Sequence, residues 1–252
     1  MEESPLDPTV FLQGFLHITE QIFEKLDEKS LKNCREISKS WQIAIDNTNI
    51  LWKRFSKKNG GTESFQLACK NGHFKMARLL IQNAIKFKID LNAKESFGWA
   101  PFHFICYNGH KGIAEMLVQK STEFKIDLNV RDEFWRTPFH LVCLKGHTNT
   151  AKMLIKNSAK FNIDLNTPDE YGRTPFHLAC ANDHTIAEKL MQKSTESNID
   201  LNAKDRLGGT PLHFACRDGH TYTAKMLIQK SAEFNIDLNA KDIYRSTAFH
   251  VA

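Results

Sequence analysis

The sequence writes one short pattern five times at almost constant spacing. Thr174-Pro175-Phe176-His177 returns as Thr137-Pro138-Phe139-His140 and Thr210-Pro211-Leu212-His213, and more loosely as Ala100-Pro101-Phe102-His103 and Thr247-Ala248-Phe249-His250. The histidines at 103, 140, 177, 213 and 250 are separated by 37, 37, 36 and 37 residues. A fixed period of this size marks a solenoid. A unit of one or two small helices cannot bury its own apolar face and must stack on copies of itself. With boundaries placed two residues before the threonine slot, the copies span 61–97, 98–134, 135–171, 172–207 and 208–244, with a truncated sixth over 245–252.

The residues of the unit fit a helical pair. Threonine followed by proline starts a helix, because proline at the first helical position has no amide to leave unpaired. Gly72-His73, Gly109-His110, Gly146-His147 and Gly219-His220 end the first helix, since glycine accepts the left-handed conformation that follows a helix. The fourth copy has Asp183-His184 there and one residue fewer before Ala187, which accounts for the spacing of 36. Second helices read Ala114-Glu115-Met116-Leu117-Val118, Ala151-Lys152-Met153-Leu154-Ile155 and Ala224-Lys225-Met226-Leu227-Ile228. They continue without glycine or proline through Gln119 to Ile126, which predicts an extra turn, with Phe87, Phe124, Phe161 and Phe234 stacked along its base and Ser197 breaking the row.

Cys69, Cys106, Cys143, Cys180 and Cys216 all lie three residues after the histidine slot, so equivalent packing positions and a buried layer of small side chains are expected, not disulfides. That fits a reducing compartment, the cytosol or nucleus. His103, Cys106 and His110 form an H-x2-C-x3-H triplet that recurs at 140/143/147, 177/180/184 and 213/216/220. Imidazole and thiolate ligate zinc, but residues that recur in every unit belong to the scaffold; no metal, cofactor or catalytic residue is expected. Asp90, Asp127, Asp164, Asp200 and Asp237 recur in the same way within Ile-Asp-Leu-Asn and read as structural parts of the inter-repeat loop.

The repeat resembles the ankyrin repeat, on Thr210-Pro211-Leu212-His213-Phe214-Ala215 and on Thr174 to Ala179. The resemblance implies an all-α solenoid of five repeats plus a truncated sixth, with short β-hairpin-like fingers ahead of each helix pair. It also implies that the slot histidine bonds to its threonine and to neighbouring backbone, and that fingers and first helices line a concave partner-binding face. On this sequence that face would carry Phe97, Trp99, Phe134, Trp135, Arg136, Tyr171, Arg173, Arg206 and Tyr244 at the fingers, with Tyr107, Leu144 and Arg217 from the first helices. Aromatics and arginine are the composition of interface hot spots.

No copy of the repeat precedes residue 59. Ile18, Ile22, Phe23 and Leu26 keep helical spacing, Ser30 caps a second helix whose Leu31, Cys34, Ile37, Trp41 and Ala44 share a face, and Ile50 to Phe55 begin a third. This segment, 1–58, resembles an F-box on Ile22-Phe23, Leu26-Asp27, Ser30-Leu31, Cys34, Ile37 to Trp41 and Leu51-Trp52-Lys53, and has Gly14-Phe15-Leu16-His17 where that family starts with Leu-Pro. The resemblance implies three helices that dock on the Skp adaptor of cullin–RING ubiquitin ligases through Phe15, Leu16, Ile22, Phe23, Leu26, Leu31, Cys34, Ile37, Trp41 and Trp52.

Together the two resemblances imply a non-catalytic adaptor, the substrate-recognition subunit of an SCF-type ligase, holding an unidentified protein substrate. The alternative is an ankyrin scaffold whose N-terminal helices only cap the stack, without a ubiquitin role. Residues 1–56 carry 7 Lys+Arg against 9 Asp+Glu and the remainder 27 against 20, a thin basic bias without the clustered face that nucleic acid requires. No run of 18 apolar residues exists, so no membrane partner is expected, and the chain on its own is expected to be a monomer.

Overall fold

The computed structural model describes residues 60–182 and 184–252, apart from the side chain of His184. The expected adaptor-docking residues from Phe15 to Trp52, and Asp183 in the fourth copy, lie outside the described residues. Eleven α-helices and no strand occur among the described residues.

The described residues belong to two compact units, one comprising the chain up to Ala68 with His73–Ile89, the other Cys69–Gly72 with Asp90–Ala252. Helix α1 (Gly61–Asn71) runs through both, and α2 (Phe74–Gln82) lies in the first. In that first unit Phe65, Ala68, Met76, Ala77, Leu80, Ile81 and Ala84 are buried. The degenerate copy keeps its apolar face although Ser64 and Gln66 replace proline and histidine.

The second unit is two layers. First helices α3 (Pro101–Asn108), α5 (Pro138–Lys145), α7 (Pro175–Cys180) and α9 (Pro211–Arg217) pack in one row. Second helices α4 (Lys111–Phe124), α6 (Thr148–Phe161), α8 (His184–Ser197) and α10 (Thr221–Gln229) pack in the other, followed by the short α11 (Ser231–Phe234). Between them Phe102, Phe139 and Phe176 repeat in one slot, each almost wholly buried and each removing about 2–3 kcal/mol worth of apolar surface from water. Cys106, Cys143 and Cys180 are wholly buried beside them, and Cys216 is half-buried; burial pushes the thiols of Cys106, Cys180 and Cys216 upward in pKa.

The extra turn of the second helix forms: α4, α6 and α8 each run for 14 residues and end at Phe124, Phe161 and Ser197. In the last full copy it is interrupted at Lys230, and in the first, α2 stops at Gln82. The phenylalanines at its base make no ring–ring contact among the described residues. Phe124, Phe161 and Phe234 are half-buried and Phe87 is exposed, and Lys86, Lys160 and Lys230 lie over Phe87, Phe161 and Phe234. Stacked repeats place equivalent side chains about 10 Å apart, the spacing of packed helices, which is too far for direct ring stacking.

Histidine, not threonine, carries the helix start. The N–H of Thr137 donates to Nδ1 of His140 at 3.1 Å, and the N–H of Ala100 does the same to His103 at 3.1 Å although alanine has no hydroxyl. The Thr137 hydroxyl lies 2.9 Å from the same Nδ1. Because Nδ1 accepts, the proton is on Nε2, and Nε2–H donates to a carbonyl of the next copy: His103 to Arg136, His140 to Arg173, His177 to Gly209 and His213 to Ser246, each at 3.1 Å. Burial lowers the pKa of His103 and His177 and takes that of His140 to about 4, so these rings are neutral at pH 7.

A second set of histidines ties the other end of the first helices. His147 Nε2 donates to the Tyr107 carbonyl at 2.8 Å, with its ring against Gly109, where a Cβ would stand 2.6 Å from Nδ1. On the loop side, the Asn92 side chain bonds the Lys125 carbonyl and the Asp127 N–H, and Asn129 repeats this with Asn162 and Asp164.

Candidate partner-binding face

The fingers are closed turns. The N–H of Glu95, Asp132, Asp169, Asp205 and Asp242 each donates to the carbonyl four residues on, at Trp99, Arg136, Arg173, Gly209 and Ser246, at 2.8–3.0 Å. From the second finger onward a turn aspartate organises the loop. Asp132 Oδ1 accepts the N–H of Phe134 and of Arg136, and Asp169 Oδ1 accepts those of Tyr171 and Arg173.

Neighbouring fingers are also joined through their backbones. The carbonyls of Phe97, Phe134, Tyr171 and Leu207 accept the N–H of Glu133, Glu170, Arg206 and Ile243 at 2.9–3.0 Å. The result is a continuous, preorganised row rather than independent loops.

Eight of the twelve face residues expected from sequence fall into three groups. Phe97, Trp135, Tyr171 and Tyr244 stand on the tips, between 49% and 73% exposed, and Leu207 and Ile243 join them. Arg136 and Arg173 are half-buried and committed: each pairs at 2.7 Å with a buried aspartate, Asp132 or Asp169, and lies over Phe134 or Tyr171 at 4.8 Å. Trp99 and Tyr107 meet each other, with ring centroids 5.1 Å apart, below the tips. Phe104, unremarked in the sequence, completes that cluster at 5.0 Å from Trp99, and the ammonium groups of Lys145 and Lys70 lie over Tyr107 and Phe104.

Leu144 is half-buried at the end of α5. Arg206 is exposed on its tip, and Arg217 pairs with Asp218 while covering the Phe214 ring at 4.5 Å. A cleft of about 240 Å³ runs beside it, lined by Leu207, His213, Phe214, Arg217 and Tyr244. The Asp132–Arg136 and Asp169–Arg173 pairs were readable from their spacing of four. The Trp99–Phe104–Tyr107 cluster was not, because its cations arrive from other copies.

The histidine and cysteine triplets serve the scaffold. The rings of His103, His110, His140, His147, His177 and His213 are spent on backbone carbonyls, the thiols of Cys106, Cys143 and Cys180 are buried and that of Cys216 half-buried, and no group of three His, Cys, Asp or Glu side chains able to hold a metal ion occurs among the described residues. No described helix is long and apolar enough to cross a membrane. What the face offers is apolar and aromatic surface held on a rigid backbone row, the properties of a protein-binding surface.

Comparison with protein families agrees with this geometry. The family model for ankyrin repeats in three copies matches residues 41–132 and 124–205, and that for ankyrin repeats in many copies matches 194–252. An F-box-like model matches 16–58. No protein of curated description matches the chain.

Proposed function

The chain belongs to the ankyrin-repeat family and carries an F-box-like module ahead of its array, and on that premise we propose that it is the substrate-recognition subunit of an SCF-type cullin–RING ubiquitin ligase. Ankyrin and F-box-like modules are non-catalytic interaction modules, which makes the chain a protein-interaction adaptor. In the proposed division, residues 1–58 dock on the Skp adaptor through Phe15, Leu16, Ile22, Phe23, Leu26, Leu31, Cys34, Ile37, Trp41 and Trp52. Residues 59–252 hold a protein substrate on the finger row. Ubiquitin transfer belongs to other subunits, and this chain raises the local concentration of substrate beside them.

The observation that carries the reading is the pairing of an F-box-like match with a row of exposed aromatic tips. The free, mostly buried thiols favour a reducing compartment, the cytosol or nucleus. A second reading, in which the residues before 59 only cap the array, draws on one finding: the ankyrin match begins at residue 41, inside the F-box-like match.

Affinity purification with the intact chain and with a Trp99→Ala/Trp135→Ala/Tyr171→Ala variant as baits tests both ends at once. The Skp adaptor is expected with both baits, and a set of further proteins with the intact chain alone. Absence of the adaptor from both baits would favour the capping reading.

A further inference from the structure

One slot of the finger is filled differently along the array. Four residues after the acidic residue that opens each turn stand Trp99, Arg136, Arg173, Gly209 and Ser246. Where the slot holds arginine, the finger closes on itself. Arg136 Nη2 lies 2.7 Å from Asp132 Oδ2 and its guanidinium covers the Phe134 ring, and Arg173 does the same with Asp169 and Tyr171. The two carboxylates so covered are 4% and 3% exposed.

In the last two fingers the aspartate stays and the arginine is gone. Asp205 Oδ1 accepts the N–H of Leu207 and Gly209, and Asp242 Oδ1 those of Tyr244 and Ser246, at 2.7–2.9 Å. The turns match those at Asp132 and Asp169. The second carboxylate oxygens of Asp205 and Asp242, however, have no hydrogen bond or ion pair among the described residues, and both side chains are half-buried.

Cations nearby do not take the empty place. Arg217 is held by Asp218 at 2.8 Å and lies over Phe214, and Lys204 donates to the Lys241 carbonyl. Arg206 and Arg245 stand exposed on the tips without an ion pair among the described residues. A flanking cation does not substitute for the slot: Arg131 precedes Asp132, and that carboxylate is still held by Arg136.

Asp205 and Asp242 line one cleft of about 240 Å³, with Gly209, Phe214 and Tyr244 among its other walls. Unpaired carboxylate oxygens beside aromatic rings call for the group that Arg136 and Arg173 provide elsewhere. A guanidinium answers with charge-assisted hydrogen bonds and with its flat face on a ring, where an ammonium offers only a compact, strongly hydrated charge. Glycine at 209 leaves the cleft without an occupant from this chain.

Taking the finger row as the partner face, as proposed above, we propose that this cleft binds an arginine side chain of the partner protein. The partner supplies from outside the guanidinium that the fingers at 132–136 and 169–173 supply from within. The test titrates the purified chain, labelled with nitrogen-15 at tyrosine and glycine, with a capped glycine–serine peptide carrying one central arginine. Matched peptides carry lysine or neutral citrulline in its place. The amides of Gly209 and Tyr244, bonded to Asp205 and Asp242, report the cleft, and that of Tyr171, bonded to Asp169, reports a slot already filled.

Saturable shifts of Gly209 and Tyr244 are expected with the arginine peptide, with Tyr171 unmoved. Affinity is expected to be roughly fivefold weaker for lysine and undetectable for citrulline. Gly209 is not left-handed, so Gly209→Arg can stand there and is expected to fill the cleft from within, abolishing the Tyr244 response. Asp205→Asn/Asp242→Asn keeps an Oδ1 acceptor in each turn and is expected to abolish binding at an unchanged thermal unfolding midpoint. An equal response to citrulline, a response that survives Gly209→Arg, or no saturable response would overturn the proposal. Self-association of the chain that Gly209→Arg removes would assign the cleft to a second copy and overturn it too. Adaptor docking through residues 16–58 is read separately, so a failed arginine site and a failed ligase reading give different results.

Discussion

The Nε2–H of His140 donates to the carbonyl oxygen of Arg173 across 3.1 Å, so the most repeated residue of the chain spends its proton on the next copy. Its Nδ1 meanwhile accepts the N–H of Thr137, and one neutral ring fastens both a helix start and a repeat junction. Protonating Nδ1 removes an acceptor that a buried N–H requires, and places a charge where little water can reach it.

Acid therefore weakens the array from within. The folded pKa of His140 is about 4 against an ordinary 6.5, because burial disfavours the charged ring. The unfolded chain binds the proton more readily between these values. The stabilisation is complete above about pH 6.5 and is lost as pH falls toward 4, at about 1.4 kcal/mol for each unit of depression. His103 and His177 are shifted in the same direction for the same reason. Urea unfolding midpoints measured from pH 7.5 to 4 are expected to fall through this window. A His140→Ala variant is expected to be less stable at pH 7 by about 1–3 kcal/mol and to lose part of the pH dependence.

Gly109 and Gly219 share a left-handed backbone, at φ +72° and +73°, but not surroundings. A Cβ at Gly109 meets the His147 ring at 2.6 Å, and one at Gly219 meets nothing within 4 Å. Both alanine variants carry the conformational cost of about 1 kcal/mol. Gly109→Ala must also displace the His147 ring from its bond to the Tyr107 carbonyl, which adds roughly another 1 kcal/mol or more. Chemical denaturation of the two variants side by side isolates that contact, and equal losses would refute it.

Much of this was legible because the repeat writes the same physical requirement several times. Thr-Pro marks the helix starts and Gly-His the left-handed ends, as at Gly109 and Gly146. The unbroken run after Leu117 foretold the longer second helix ending at Phe124. Other features depend on what meets across copies. The ring of His103 does the capping that the threonine slot suggested, which shows only where alanine occupies that slot. The left-handed tip of Trp135 runs against the propensity of its own residue, so local sequence argues for the wrong backbone there.

The junction between the third and fourth copies is where the loop ladder is incomplete. The N–H groups of Asp127, Asp164 and Asp237 are held by the side-chain oxygens of Asn92, Asn129 and Asn202. Asn166 holds the Asn198 carbonyl through Nδ2, but its Oδ1 is buried without a partner, in the one copy pair where the spacing falls to 36. The Asp200 amide is accordingly expected to exchange with solvent deuterium faster than those of Asp127, Asp164 and Asp237. Uniform protection at all four positions would contradict this account of the junction.

The claim at the centre is that this chain joins a ligase adaptor at one end to a partner at the other. Mass photometry of the purified chain mixed with the Skp adaptor tests it most directly. The predicted result is a one-to-one complex that Leu31→Ala/Trp41→Ala abolishes and Trp99→Ala/Trp135→Ala/Tyr171→Ala leaves intact. Separate species in every mixture, or a complex that persists when Leu31 and Trp41 are replaced, would contradict it.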